Sequence, residues 1–140
     1  MKPPFSLVFV IGLLLAACQG QSAPVIGTEI SAAGGVYHSV DAAGLKAMLQ
    51  NKDFVFVNVH IPFEGDIAGT DLSIPYDQIT APGNLSQLPV DKDAKIVLYC
   101  RSGRMSALAA QDLVALGYTN IWDLAGGMVG WERAGYDLQK

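Results

Sequence analysis

The amino-acid sequence predicts an α/β domain with an open, mostly parallel sheet of five strands flanked by helices. Two features support this fold class. Short segments rich in strand-forming residues alternate with segments whose apolar residues recur at helical spacing, which is typical of parallel α/β sheets. The segment 54–59 is almost continuously apolar, as strands covered by helices on both faces are.

The elements follow one another in chain order. Strands are predicted at residues 36–38, 54–59, 73–75, 96–99 and 120–122. Helices are predicted from Ser39, as the N-cap, to Leu49, and over residues 84–88, 104–116 and 127–133. The third helix carries apolar residues at core spacing and is expected to end at Gly117. Gly126 and Gly127 are expected to form a tight turn before the last helix.

The first 35 residues differ in composition from the rest of the chain. Lys2 precedes an apolar stretch, residues 5–17, that is too short to span a bilayer and long enough for a secretory signal. The stretch ends in Leu15-Ala16-Ala17-Cys18, which resembles the lipobox of bacterial lipoproteins. This resemblance implies a signal peptide at residues 1–17 and a lipidated Cys18, although an ordinary secretory signal remains the alternative. Residues 18–35 are small and polar and are predicted to be a tether to a domain at residues 36–140.

By the same resemblance, Gln19 after the cysteine argues against retention on the inner membrane. The protein is therefore expected to be exported and lipid-anchored, facing the periplasm on the outer membrane. The formal net charge is −4 and there is no basic run, which excludes nucleic acid and anionic lipid headgroups as expected partners. The lipid anchor would be the only membrane contact. The sequence has no His/Cys set at metal-ligand spacing, so neither a metal nor a cofactor is predicted.

Cys100 stands between an apolar strand and a helical pattern. A loop that enters a helix directs free backbone N–H groups at what it encloses, and the helix dipole adds partial positive charge. Arg101 and Arg104 add two cations. These surroundings predict an exposed, reactive Cys100 that is largely thiolate near neutral pH, rather than a buried structural cysteine. If Cys18 is lipidated, Cys100 also has no disulfide partner within the chain.

The stretch YCRSGRMSALAAQDLVALGYTNIWDLAGGMVGWERAGY, from Tyr99 to Tyr136, resembles the active-site loop and following elements of single-domain rhodaneses. The resemblance covers nearly all of residues 36–140. It implies a sulfurtransferase in which Cys100 takes sulfane sulfur from a donor such as thiosulfate and becomes a persulfide. The sulfur would then pass to a thiol or a cyanide-like acceptor. The resemblance does not identify a partner protein. The residues implied to form the substrate cradle are Arg101, Ser102, Gly103, Arg104 and Met105.

The chain departs from the family pattern at three places. Many members read Asp-x-Arg where this chain has Asn58-Val59-His60, and Gly-His-Ile where it has Gly65-Asp66-Ile67. Position 105 is Met, and the arginine comes one residue earlier. His60 and Asp66 are therefore predicted to reshape the pocket rim and the choice of donor. A histidine that caps the strand end by hydrogen bonding is the simpler interpretation of His60.

Two other functions fit the same architecture. A cysteine phosphatase or an arsenate reductase needs an arginine six positions after the cysteine, where this chain has Ser106. A non-catalytic binding or sensing module is the second alternative, because the residues around position 58 depart from the family pattern. The presence of Cys100 together with two arginines favours a sulfurtransferase over a non-catalytic module.

Overall fold

The computed structural model describes residues 23–140 and confirms an α/β fold with a mostly parallel open sheet flanked by helices. The predicted signal peptide and Cys18 lie outside the described residues. The strands are β1 Thr28–Ala32, β2 Gly35–Val40, β3 Val55–Asn58, β4 Leu72–Ser73, β5 Ile96–Tyr99 and β6 Ile121–Leu124. The helices are α1 Ala42–Gln50, α2 Pro82–Leu85, α3 Arg104–Ala115 and α4 Gly127–Arg133, with a 3-10 turn at Tyr76–Gln78. Among these residues, no helix has the length and apolar character needed to cross a membrane.

The sheet has six strands in the order β1-β2-β6-β5-β3-β4, so the predicted number of five is wrong. The additional strand is β1, which pairs antiparallel with β2 and lies in the segment assigned to the tether. Ile30 and Ala32 pack partly buried against the core, which explains why this segment is ordered. Gly34 has a φ of +93° and closes the two-residue turn between the strands.

Two helix starts differ from the sequence prediction. Ser39 lies within β2, and the N-cap of α1 is Asp41, whose carboxylate accepts a hydrogen bond of 2.7 Å from the Gly44 N–H. The short helix α2 begins at Pro82 rather than at Asn84, because proline is favoured in the first turn of a helix. The third and fourth predicted helices are confirmed as α3, which ends one residue earlier, and α4.

The sheet separates two apolar layers. Ile96, Leu98 and Cys100 point into the layer that contains α3, whereas Val97 and Tyr99 point into the layer that contains α1 and α4. β3, β5 and β6 are parallel neighbours, so their carboxyl ends meet at one edge of the sheet. Ligands of open α/β sheets bind at this edge, and Cys100 lies there at the end of β5.

Candidate active site at the cysteine loop

Cys100 is held by hydrogen-bond donors that surround its sulfur. The Gly103 N–H donates to Sγ at 3.0 Å, and the Ser106 hydroxyl lies 3.5 Å from the same atom. Only 1% of the residue is exposed. The predicted exposed thiol is therefore wrong, because the loop folds over the sulfur instead of presenting it to solvent. The donors around Sγ nevertheless suit an anionic sulfur.

The shape of the loop depends on α4. The N–H groups of Met128 and Val129, at the start of α4, donate to the carbonyl oxygens of Cys100 (2.9 Å) and Arg101 (3.0 Å). The loop carbonyls are thus turned towards α4, which leaves the Gly103 N–H facing Sγ. Gly103 takes a φ of +98°, a conformation that favours glycine.

Gly127 has a role that the sequence does not reveal. Its φ is +55°, and a Cβ there would lie 2.6 Å from the backbone C and O of Arg101 and in contact with the Cys100 carbonyl oxygen. The prediction of a tight turn is correct but incomplete, because the missing side chain is also what lets α4 approach the cysteine loop.

The two arginines have different surroundings. Arg101 is exposed, and its Nη1 lies 2.9 Å from Glu64 Oε1. The other carboxylate oxygen of Glu64 lies 2.7 Å from His60 Nε2. Although desolvation opposes it, the hydrogen bond from His60 and the charge of Arg101 lower the pKa of Glu64. Arg104 is exposed at the first turn of α3 and forms no salt bridge within the described residues.

Glu64 was not singled out from the sequence, because nothing local marks a loop carboxylate as the partner of a loop thirty-seven residues away. In the structure, the Glu64 carboxylate contacts both His60 and Arg101 and so brings these two side chains close together. The His60 backbone N–H donates a hydrogen bond of 3.0 Å to Asn58 Oδ1, so the side chain that caps the end of β3 here is that of Asn58.

Asp66, which the sequence predicts at the pocket rim, has its carboxylate held by two neighbouring side chains. Its Oδ1 accepts hydrogen bonds from Asn58 Nδ2 at 2.9 Å and from the Tyr99 hydroxyl at 3.0 Å. Its backbone pairs with Gln139. Tyr99 and Cys100 are neighbours on one strand and point to opposite layers, so the Asp66 carboxylate lies in the layer opposite the sulfur. Burial, with a smaller effect from the Asp66 charge, raises the pKa of Tyr99.

A buried carboxyl group lies on the same side of the sheet as Cys100. Asp123, in β6, is 5% exposed, and Ser106, in α3, is fully buried. Burial raises the pKa of Asp123 to about 6. The only signal in the sequence is a single acidic residue inside the strand IWDL.

Comparison with known proteins identifies the family. A family model of the rhodanese-like domain matches residues 41–134. The chain belongs to this family. A sulfurtransferase of Allochromatium vinosum is 33% identical to this rhodanese-like domain over 105 residues, which are 72% of this chain and 94% of that protein. A tRNA uridine(34) hydroxylase of Erwinia tasmaniensis is 33% identical over 96 residues, 66% of this chain. The chain spans only 27% of the length of that relative.

Solved structures show the same rhodanese-like fold. A rhodanese-related protein of Thermoplasma volcanium aligns with a TM-score of 0.58 and 30% identity over 71% of this chain and 95% of that one. A protein of Rhodopseudomonas palustris, described as a possible tyrosine phosphatase, aligns with a TM-score of 0.61 and 25% identity over 72% of this chain and 83% of that one. The family thus includes proteins described with different activities.

In this rhodanese-like domain the cysteine loop offers hydrogen-bond donors to an anionic sulfur. Within residues 23–140, no group of three or more His, Cys, Asp or Glu side chains is close enough together to hold a metal ion. The available chemistry is a nucleophilic sulfur, donors from the backbone and Ser106, and two nearby arginines.

Proposed function

We propose that this rhodanese-like protein is a sulfurtransferase that moves sulfane sulfur from an anionic donor such as thiosulfate to a thiol or a cyanide-like acceptor. The observation that supports this most is the position of Cys100 Sγ, at the carboxyl end of β5, 3.0 Å from the Gly103 N–H. The sulfurtransferase of Allochromatium vinosum, which matches over nearly its whole length, gives independent support.

The reaction takes place in two displacements at sulfur. The Cys100 thiolate attacks the outer sulfur of thiosulfate, the S–S bond of the donor breaks, and sulfite leaves with the bonding electron pair. The product is a Cys100 persulfide. An acceptor thiolate or cyanide then attacks the terminal sulfur, and the Cys100 thiolate leaves. The Gly103 N–H and the Ser106 hydroxyl stabilise the Cys100 thiolate, which attacks in the first step and leaves in the second.

Arg104 is the better candidate for binding the donor. Glu64 already neutralises Arg101 at 2.9 Å, whereas Arg104 has no ionic partner in the described part of the chain. A free cation at the start of α3 is suited to a dianion. We place Arg101, together with His60 and Glu64, at the rim of the pocket around Cys100. A sulfur donor or a partner protein would contact these side chains first.

The test is a thiosulfate–cyanide transfer assay on the full chain, with Cys100→Ser as its matched variant. We expect thiocyanate formation by the parent, no formation by the variant, and a mass increase of one sulfur atom on the peptide containing Cys100 after incubation with thiosulfate. Transfer by Cys100→Ser would reject the mechanism.

A non-catalytic binding module remains the second candidate, and the observation that favours it is the 1% exposure of Cys100. Absence of both transfer and persulfide in the same assay would support it. A phosphatase is a weaker candidate than either, because the position of the arginine that would close its loop is occupied by Ser106.

We also propose that the protein is exported and anchored by a lipid on Cys18. This proposal rests on the Leu15-Ala16-Ala17-Cys18 motif and on the apolar stretch before it. The domain would then act at the surface of a membrane without inserting into it.

A further inference from the structure

The segment 23–25 and Cys100 lie at opposite edges of the parallel sheet. The segment lines one cavity together with Asp53 and Lys95. These two residues precede β3 and β5, so they lie at the amino ends of the parallel strands, here called the amino edge. Cys100 follows the last residue of β5 and lies at the carboxyl ends, the carboxyl edge. The chain therefore enters the domain on the side that is remote from the cysteine.

The segment 23–25 belongs to the domain and not to the predicted tether. Val25 is partly buried against the apolar layer that contains α1. The half-buried Trp122, near the start of β6, lines the same cavity as this segment. Only residues 18–22 are then left between Cys18 and the domain, instead of the predicted tether of residues 18–35.

This remaining tether is short compared with the domain. The five residue steps from Cys18 to Ala23 span at most about 18 Å when fully extended. Lys95 and Cys100 are also five steps apart along β5, which places the two edges of the sheet about 17 Å apart. To bring the carboxyl edge onto a bilayer, the tether would have to lie almost fully extended along the domain. With the amino edge at the bilayer, no such extension is needed.

The charges of the amino edge do not favour another orientation. Lys95 Nζ lies 2.9 Å from the Asp53 carboxylate, and Lys52 Nζ lies 2.6 Å from the Asp71 carboxylate. Each cation is therefore neutralised by its own partner, and this edge has little net attraction to phospholipid headgroups or repulsion from them. The point at which the tether joins the domain is then what orients the domain.

We propose, on the basis of the lipid anchor proposed above, that the amino edge of the sheet faces the bilayer and that Cys100 faces the aqueous compartment. The sulfur donors and acceptors of Cys100 are then molecules dissolved in that compartment, including thiols of soluble proteins. A thiol carried on a lipid headgroup lies on the other side of the domain from Cys100.

The test compares the distances of the two edges from the lipid. The full chain with lipid on Cys18 is purified from bacterial membranes and reconstituted in phosphatidylcholine vesicles that contain a lipid with a nitroxide headgroup, which quenches fluorescence. A fluorophore is attached at the amino edge through Asn51→Cys, or at the carboxyl edge through Phe63→Cys in the loop after β3. Both positions are exposed, and both variants carry Cys100→Ser. Because about 17 Å separates the edges, we expect the label at position 51 to lose at least about twice as much fluorescence as the label at position 63.

Two controls show whether the tether is the cause. An insertion of about fifteen Gly and Ser residues after Ser22 gives a flexible tether that is long enough for the domain to turn over, so the two labels should lose similar amounts of fluorescence. With the parent tether, the ratio of the two losses should be the same at low and high salt. The vesicles are uncharged because Arg104, which forms no salt bridge within residues 23–140, would be attracted to anionic lipid.

A transfer assay tests the acceptor. With the parent tether, we expect a thiol carried on a lipid headgroup to accept sulfur more slowly than the same thiol in solution. The longer tether should raise the first rate and leave the second unchanged. A headgroup thiol that accepts sulfur equally fast with both tethers would contradict the assignment of a dissolved acceptor.

Equal quenching at the two positions, or stronger quenching at position 63, would overturn the orientation, and the lipid on Cys18 would still support the anchor. A mass that shows unmodified Cys18 would reject the anchor and the orientation together. The quenching experiment needs no sulfur donor, so it is independent of the proposed reaction. The expected quenching without transfer to either thiol would reject the reaction and support the orientation.

Discussion

The substitution Gly127→Ala tests how α4 shapes the cysteine loop. The added Cβ would lie 2.6 Å from the carbonyl carbon and oxygen of Arg101, closer than real Cβ contacts allow. These atoms belong to the backbone, so no side chain can rotate away to relieve the contact. The loop and α4 must therefore separate, which stretches the hydrogen bonds to the Cys100 and Arg101 carbonyl oxygens.

Two contributions determine how much Gly127→Ala lowers the free energy of unfolding. An alanine held at φ +55° costs about 1–2 kcal/mol, and overpacking against a fixed backbone costs about 1–3 kcal/mol. We expect the free energy of unfolding to fall by about 2–5 kcal/mol in urea titrations with an unchanged slope. The rate of sulfur transfer per folded molecule should decrease as well, because the Gly103 N–H moves relative to Sγ. The total loss of transfer should therefore exceed the loss that unfolding alone would cause.

Two other glycines separate these contributions. Gly117 has a φ of +91° and open space around it, so Gly117→Ala carries the conformational cost without the contact. Gly83 lies in α2 with open space and an ordinary φ, so Gly83→Ala should be neutral or slightly stabilising. If Gly127→Ala destabilises the protein no more than Gly117→Ala, the close approach of α4 to the loop is not what requires glycine.

The remaining predictions concern charge, anchoring and pH. Arg104→Ala should weaken thiosulfate use by at least about 1–3 kcal/mol in kcat/KM, and Arg101→Ala should cost less with small donors; a larger loss in Arg101→Ala would reverse the assignment. Full-length protein expressed in a bacterium should partition with membranes and Cys18→Ser should lack lipid, and an intact mass showing unmodified Cys18 in the parent would contradict this. Burial raises the folded-state pKa of Asp123 to about 6, so its neutral form is favoured on folding and stability should fall as pH rises from about 4 to 6. Asp123→Asn should remove this loss of stability, which is on the order of 2–3 kcal/mol. Urea titrations of the parent and the variant at about pH 4 and pH 6 measure the difference. The same pH dependence of stability in both proteins would contradict the prediction.

The sequence predicts most of the parallel core because that core depends on local pattern. The apolar runs that became β3 and β5, and the helical spacing of α3, determine their elements almost alone. β1 was missed because small and polar residues surround Ile30 and Ala32, and the strand is stabilised by pairing with β2 and by contacts with the core rather than by its own composition. The N-cap of α1 was placed too early because β2 extends through Ser39.

The sequence predicts those parts of the candidate site that depend on local pattern. The loop after Cys100 and its donors follow from a strand that leads into a helix, which is a local feature. The burial of Cys100 does not, because it depends on packing against α3 and the rest of that layer. The position of Asp66 depends on hydrogen bonds from Asn58 and Tyr99. Such pairings between distant segments leave no periodic signal in a single sequence.

The hydrogen bonds from α4 to the cysteine loop also have a consequence for folding during synthesis. Synthesis proceeds from the N-terminus, and domains generally fold as units. A nascent chain that has passed Cys100 but not Val129 already contains the nucleophile, yet lacks the N–H groups that turn the loop carbonyls away from the sulfur. The donor arrangement around Sγ therefore forms only once β6 and α4 have been synthesised, so a truncated or partly emerged chain would present an ordinary thiol.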